Sequence, residues 1–333
     1  MRIGIAVSRA ASIEPSWTTA HLGAALLCAG HTLRIVEPWD FEIDENGRCI
    51  ARAHAFDSSA ATPATLCKEL SMRMARRCYE DLGGLDALLL RVNPLDVGVL
   101  SFALLAQDAG VPVLNNPRTI VSTSHKGFLA SLSEVPRPKT IVTRSRAMCH
   151  SFAEGVESGV IVKPARSSGG RGVQWVRRGK SGHLDIAIDE ARSYGDGYLV
   201  IQEYLESAVN GEKRLLWIGG RAIGAYLRER AKGEFRHNLS RGGTPVPATI
   251  TDEEQFLVQA VSPHLLEQGV WIAGLDVIGG KLVEVNTLNP GGFHHIQNHS
   301  ERDLVPELVD SLLERIREEQ SKPRPWGIPT LSP

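Results

Sequence analysis

Two carboxylates and an amide stand close together late in the chain, at Asp276, Glu284 and Asn286. They lie in the stretch Ala273-Gly-Leu-Asp-Val-Ile-Gly-Gly-Lys-Leu-Val-Glu-Val-Asn286. Apolar runs on both sides of Gly279-Gly280 predict two antiparallel strands, because glycine tolerates the positive φ that a hairpin turn needs. Side chains alternate faces along a strand, so loop parity decides which residues meet. A two-residue loop would pair Asp276 with Val283 and turn Glu284 away. A three-residue loop Gly279-Gly280-Lys281, or a bulge, sets Asp276 opposite Glu284, with Asn286 further along the same face. An odd loop or a bulge is therefore expected. Oxygen ligands without His or Cys suit a hard cation such as Mg²⁺, which keeps some waters and shares its shell with phosphates. The plainer reading is an ordinary hairpin with its polar face in solvent.

Cationic and glycine-rich segments upstream fit the same chemistry. Lys163 ends an apolar strand and is followed by Ala165-Arg-Ser-Ser-Gly-Gly-Arg-Gly172, a loop whose backbone N–H groups can approach phosphate oxygens closely. It lacks the spacing of a Walker A loop, and taken alone it also reads as a simple turn. Val200-Ile-Gln-Glu-Tyr-Leu205 is a strand running into a loop, where backbone groups suit the edge of an adenine or merely a buried strand end. Arg214, Arg228, Arg236 and Arg241 spread over a turn-rich stretch ending at Gly242-Gly243. Guanidinium groups bind carboxylate and phosphate bidentately, and such a loop can close to exclude water. Arg91 follows a strand directly, at the end where ligands gather in open α/β sheets. His294, His295 and His299 have no convincing metal-ligand spacing and read as loop histidines.

The elements that must position these groups fall into two textures. Up to about 118, strands (2–7, 32–37, 87–90, 111–114) alternate with helices (18–29, within 65–81, 97–109), which predicts an open, mostly parallel α/β sheet. Beyond it come a helix over 122–132, strands at 140–142, 159–163 and 173–176, and helices at 146–157 and 185–193, a small α+β unit. Strands at 198–202, 214–218, 222–227 and the hairpin, with a helix over 252–268, make a larger one. The segment 321–333 is Pro-rich and expected to be extended or disordered.

Composition narrows the function. The 333 residues suffice for two or three structural units. Lys plus Arg number 37 against 38 Asp plus Glu, so no global field favours nucleic acid or an anionic membrane. No apolar run approaches a spanning helix, and a cytoplasmic protein is expected. Five cysteines without Cys-x-x-Cys spacing suggest neither a disulfide framework nor zinc.

Taken in order, Leu85-Asp-Ala-Leu-Leu-Leu-Arg-Val-Asn-Pro94, Val113-Leu-Asn-Asn-Pro117 with Lys126, Val162-Lys-Pro164 with its glycine loop, Ile201-Gln-Glu-Tyr-Leu205, Asn210-Gly-Glu-Lys-Arg214, Arg236-His-Asn-Leu-Ser-Arg-Gly-Gly243 and the hairpin resemble the ATP-grasp superfamily, within it the bacterial glutathione synthetases. The resemblance runs to about residue 318. It implies α/β and α+β architecture: an N-terminal open α/β (pre-ATP-grasp) domain over 1–118, a small ATP-grasp lid over 119–200 and a large catalytic subdomain over 201–320. It also implies ATP and Mg²⁺, with Mn²⁺ as a substitute, and a homo-oligomer, dimer or tetramer.

By the same resemblance Lys126, Lys163, Ser168, Gly169 and Gly170 meet the phosphates. Gln202, Glu203, Tyr204 and Leu205 line the adenine pocket, and Glu212, where the family usually has Asp, reaches the ribose. Asp276, Glu284 and Asn286 match the magnesium ligands. Arg91 and Arg214, with Asn289, Gly291 and Gly292, fall on the substrate side. Arg228, Arg236 and Asn238, in or beside the mobile loop, serve catalysis. The implied activity is ADP-forming ligation of γ-glutamylcysteine and glycine through an acylphosphate. Three segments depart from the family pattern: Arg166-Ser-Ser168, Asn289-Pro-Gly-Gly292 and residues 8–19. They leave open a related ligase with another acyl donor or amine, and an ATP-grasp kinase stands as the alternative class.

Overall fold

The computed structural model describes residues 1–57 and 62–322; positions 323–333 of the expected Pro-rich tail lie outside the described residues. The chain forms two compact units. The first contains Met1–Ile120, Leu265–Ala273 and the described residues from Thr287 onward; the second contains Val121–His264 and Gly274–Asn286.

In the first unit a seven-stranded sheet runs in the order Phe41–Ile43, Cys49–Phe56, Thr32–Val36, Arg2–Val7, Ala87–Arg91, Val113–Leu114, with Arg76–Asp81 also paired to Cys49–Phe56. Only one half of it is the expected parallel sheet, from Thr32–Val36 through Arg2–Val7 and Ala87–Arg91 to Val113–Leu114. The other half is antiparallel. The turn at Asp44–Gly47 is visible in the sequence, but its flanking strands are not. Cys49–Phe56 buries Ala51, Ala53 and Ala55, which carry little hydrophobic signal, together with His54 and Phe56 at its end. Arg76–Asp81 is almost wholly polar, and the helix expected within 65–81 stops at Ser71. The core joins Leu88, Leu90 and Val113 to Val99 and Ala103 of the helix Val97–Asp108, which starts where Asp96 accepts from the Val99 N–H.

Asn115 is a buried side chain that makes four hydrogen bonds. Its Nδ2 donates to the carbonyls of Ile272 (2.9 Å) and Thr287 (2.7 Å), and its Oδ1 accepts from the N–H groups of Trp271 (2.7 Å) and Ile272 (3.0 Å). A buried amide costs several kcal/mol unless satisfied, so four bonds justify its burial.

The second unit holds two sheets. An antiparallel one runs Gln174–Val176, Val160–Pro164, Leu199–Glu203, Thr140–Thr143. Val160, Val162 and Ile201 of it pack on Leu184 and Ile188 of the helix Ser181–Arg192. The other runs Thr244–Ala248, Arg221–Glu229, Glu212–Ile218, Ile272–Ile278, Lys281–Asn286. The helix Asp252–Glu267 starts in a capping arrangement in which Thr251 N–H reaches Glu254 and Glu254 N–H reaches Thr251 Oγ1. Trp217 Nε1 bonds Ser262 on that helix at 2.8 Å.

The hairpin resolves the parity question. Ile278 pairs with Lys281 and Val277 with Leu282 across a two-residue turn, and a bulge beyond Val277 then sets Asp276 opposite Glu284 and Gly274 opposite Asn286. Gly279 and Gly280 have φ of +53° and +70°, as the turn requires. The extra residue at Val283, not a longer loop, restores the alignment.

Candidate active site

A cleft open to solvent lies within the second unit. Of the residues singled out in the sequence, Lys126, Lys163, Ser168, Gly169, Gly170, Gln202, Glu203, Tyr204, Leu205, Glu212, Arg214, Arg236, Asn238, Asp276, Glu284 and Asn286 all line it. Arg228 reaches it through contacts with Asp276 and Glu212. Arg91, Asn289, Gly291 and Gly292 belong to the first unit. There Arg91 is buried, donating from Nε to Thr19 Oγ1 (3.2 Å) and from Nη2 to the Pro290 carbonyl (2.9 Å). Burial lowers its pKa to about 9.

Part of the cleft lining is apolar. Tyr204, Ala208, Ile278 and Val283 form a buried cluster joined by Ile161, Trp175 and Leu205. Trp175 stacks on Tyr204 with centroids 4.3 Å apart and planes 19° from parallel. Next to it the lining is charged. Lys163 Nζ donates to Gln202 Oε1 and to the carbonyl of Val283, each at 3.1 Å, and lies 3.8 Å from Glu284. Burial lowers its pKa, with Glu284 opposing. Lys126 donates to the Ser167 carbonyl and lies 3.7 Å from the other Glu284 oxygen.

Asp276 is the most crowded anion. Arg214 grips it through Nε and Nη2, Arg228 donates to it, and Asn286 Nδ2 donates at 3.1 Å. Burial pushes its carboxyl up, but the two guanidiniums together outweigh that and hold it at about 2. Glu212 lies 2.5 Å from Arg228, yet burial raises its pKa to about 7, aided by Asp276 and Glu284.

The donor set fits a hard divalent cation. Two carboxylates face each other across the hairpin with an amide on the same face, and their oxygens already attract cationic groups. Among the described residues no group of three or more His, Cys, Asp or Glu could hold a metal alone. A cation here would need further oxygens from phosphate or water. His294, His295 and His299 join no such group either: His294 pairs with His21 at 3.1 Å in the first unit.

The loop carrying Arg236 and Asn238 meets the glycine loop. Arg236 Nη1 donates to the Gly170 carbonyl at 3.2 Å and Ser240 to that of Gly169. A Cβ on Gly170, at φ +71°, would lie 2.5 Å from Asn238 Oδ1. Glu234 braces Arg236 from two oxygens, and that bond in turn holds Glu234 at about 2. Trp175, Phe235, His237 and the Val283 carbonyl are the site features that sequence reasoning missed. Trp175 and Phe235 flank the segments it did single out and His237 lies inside one, and only that adjacency could have signalled them.

A family model described as prokaryotic glutathione synthetase, ATP-grasp domain, matches residues 125–301. The glutathione synthetase of Vibrio cholerae serotype O1 is 32% identical over 241 residues, covering 71% of this chain and 75% of that protein. Among solved structures, a D-cycloserine synthetase aligns with TM-score 0.65 at 16% identity, over 94% of this chain and 99% of its own. The D-alanine-D-alanine ligase of Coxiella burnetii aligns with TM-score 0.57 at 15% identity, over 96% and 97%. These structural likenesses establish the ATP-grasp fold.

Proposed function

The chain belongs to the prokaryotic glutathione synthetase family of ATP-dependent, ADP-forming ligases, and on that premise we propose that it joins the cysteinyl carboxyl of γ-glutamylcysteine to the amine of glycine. The observation that carries the reading is the assembly, in one cleft, of an apolar pocket, two lysines, two arginines and the facing Asp276 and Glu284. That sequence of environments matches a nucleoside triphosphate: base, sugar, polyanion.

A carboxylate is a poor acyl donor because its leaving group would be oxide. Its oxygen therefore bonds to the γ-phosphorus of ATP as the bond to ADP breaks, and the amine then displaces inorganic phosphate from the acylphosphate. Bringing a carboxylate to a triphosphate opposes like charges, so fixed cations govern the first step. Lys126 and Lys163 face the phosphates, while Ser168, Gly169 and Gly170 supply backbone contacts. Arg214 and Arg228, which bind Asp276, serve the phosphate and carboxylate oxygens as well. Gln202, Glu203, Tyr204 and Leu205 hold the base and Glu212 the sugar. Arg236 and Asn238 close their loop over the glycine loop and exclude water from the acylphosphate. Asp276, Glu284 and Asn286 would hold Mg²⁺, or Mn²⁺ in its place, which supplies charge neutralisation when bound. No protein nucleophile is needed.

The same reading assigns residues 1–118 and Arg91, Asn289, Gly291 and Gly292 to the peptide and amino-acid substrates, 119–200 to the lid and 201–320 to catalysis. Family resemblance supports a cytoplasmic homo-oligomer, dimer or tetramer. No helix among the described residues is long and apolar enough to cross a membrane. A second reading, another acceptor amine, is favoured by one contact. Arg91, assigned to substrate, is bonded to Pro290, inside the segment that departs from the family.

Purified protein with ATP, γ-glutamylcysteine and glycine, followed by product mass spectrometry, tests both. A condensed product lacking glycine defeats the substrate pair, and a phosphorylated alcohol defeats ligation altogether.

A further inference from the structure

The cleft lining also includes Glu212 and His237, a buried residue whose ring nothing in the reaction above uses. His237 Nε2 lies 2.8 Å from the carbonyl oxygen of Ala208. A carbonyl only accepts, so Nε2 carries the proton and Nδ1 of the neutral ring presents a lone pair. Burial, with Arg228 and Arg230 nearby, lowers the pKa and keeps the ring neutral at pH 7. Nδ1 has no hydrogen-bond partner among the described residues, and it is not among their buried unpaired atoms either. The ring thus offers an acceptor to the cleft.

Position tells what would donate to it. Ala208 belongs to the apolar cluster with Tyr204, Ile278 and Val283, so His237 sits at the border of the base pocket. Glu212 is tied to Arg228, one of the cleft's charged groups. A nucleotide with its base against the apolar cluster and its phosphates among the charged groups places its sugar beside residues that touch both, and the sugar's donors are hydroxyl groups. We propose that His237 Nδ1 accepts a hydrogen bond from one ribose hydroxyl of the bound nucleotide, making it a sugar-specificity residue beside Glu212. The Ala208 carbonyl acts as its positioning partner by fixing the tautomer.

The inference rests on the cleft being the nucleotide site, and the two fail differently. ATP, 2′-deoxy-ATP and 3′-deoxy-ATP are compared as substrates of wild type, His237→Leu and His237→Gln. One neutral hydrogen bond corresponds to about a tenfold difference in affinity. Wild type should show a KM about tenfold higher for one deoxynucleotide. His237→Leu should raise the KM for ATP to that level while leaving the KM for that deoxynucleotide unchanged. His237→Gln, whose amide can donate to Ala208 and still offer an oxygen, should restore most of the preference. The ratio is read within each variant, so partial loss of folded protein does not alter it. An equal rise for ATP and both deoxynucleotides would mean a merely structural residue and overturn the proposal, as would an unchanged ATP preference. If wild type neither binds nor consumes ATP, the nucleotide reading itself falls, and this inference with it.

Discussion

Removing the charge of Asp276 should destabilise the ligand-free protein by about 3 kcal/mol. Asp276 is buried and anchors Arg214 and Arg228, so Asp276→Asn leaves two guanidiniums facing an amide. The folded state lowers the carboxyl from 3.8 to about 2, and at about 1.4 kcal/mol per pH unit that favours the charged form by about 2–3 kcal/mol. Breaking a buried pair by deleting one partner costs about 3–5 kcal/mol, the excess coming from the cation left behind. Glu212 remains near Arg228 and relieves part of this, which places the expectation at the lower end. A depressed carboxyl pKa contributes stability that is present above 3.8 and is lost as pH falls toward 2. The gap between wild type and variant should therefore be full at pH 7 and narrow below pH 4. Urea unfolding without nucleotide or metal measures it. A variant as stable as wild type at pH 7 would refute the reasoning, because it would mean that the arginines gain nothing net from this carboxylate.

Three further changes separate folding from function. Glu284→Gln should abolish turnover while costing at most about 1 kcal/mol in urea unfolding, since Glu284 is partly exposed and Lys163 keeps its bonds to Gln202 and Val283; retained magnesium-dependent activity would refute its ligand role. Gly170→Ala places a methyl against Asn238 at a left-handed backbone position, which costs about 1–2 kcal/mol in backbone strain alone. Its expected signature is a KM for ATP raised at least fivefold, with uncoupled ATP hydrolysis measured by phosphate release without amino-acid substrate. Deleting Val283 should keep Asp276 opposite Glu284 through the two-residue turn but remove the bulge carbonyl that Lys163 binds; titration with a fluorescent ATP analogue should then show at least tenfold weaker binding, and unchanged binding would argue that the bulge serves register alone.

Most of the cleft was legible because its chemistry is carried by side-chain type. Lys163 at the end of a strand, glycines in a run and carboxylates set face to face by hairpin parity keep their meaning without coordinates, Lys126 and Glu212 were reached only through the family resemblance, and the structure gathers all of these in the second unit around one space. The antiparallel half of the first sheet was not legible, because Ala51, Ala53 and Ala55 are buried for lack of size, not for hydrophobicity, and Arg76–Asp81 is held by charges. Trp175 reads as an ordinary strand residue until it is found stacked on Tyr204.

The hairpin shows where the boundary between the two kinds of information falls. Parity demands that an extra residue enter somewhere between Asp276 and Glu284, and that much is arithmetic on the sequence. Where it enters is a question of who uses it. An extra loop residue would leave the strand carbonyls paired along the ladder, whereas a bulge unpairs one locally. The unpaired position is Val283, whose carbonyl receives Lys163 and whose side chain completes the apolar cluster with Tyr204 and Ala208. The bulge therefore does two things with one residue: it brings the two carboxylates face to face, and it fixes the buried lysine beside them. The partner that selects it lies 120 residues away in the chain, which is why the need for an offset could be read from the local pattern while its location could not.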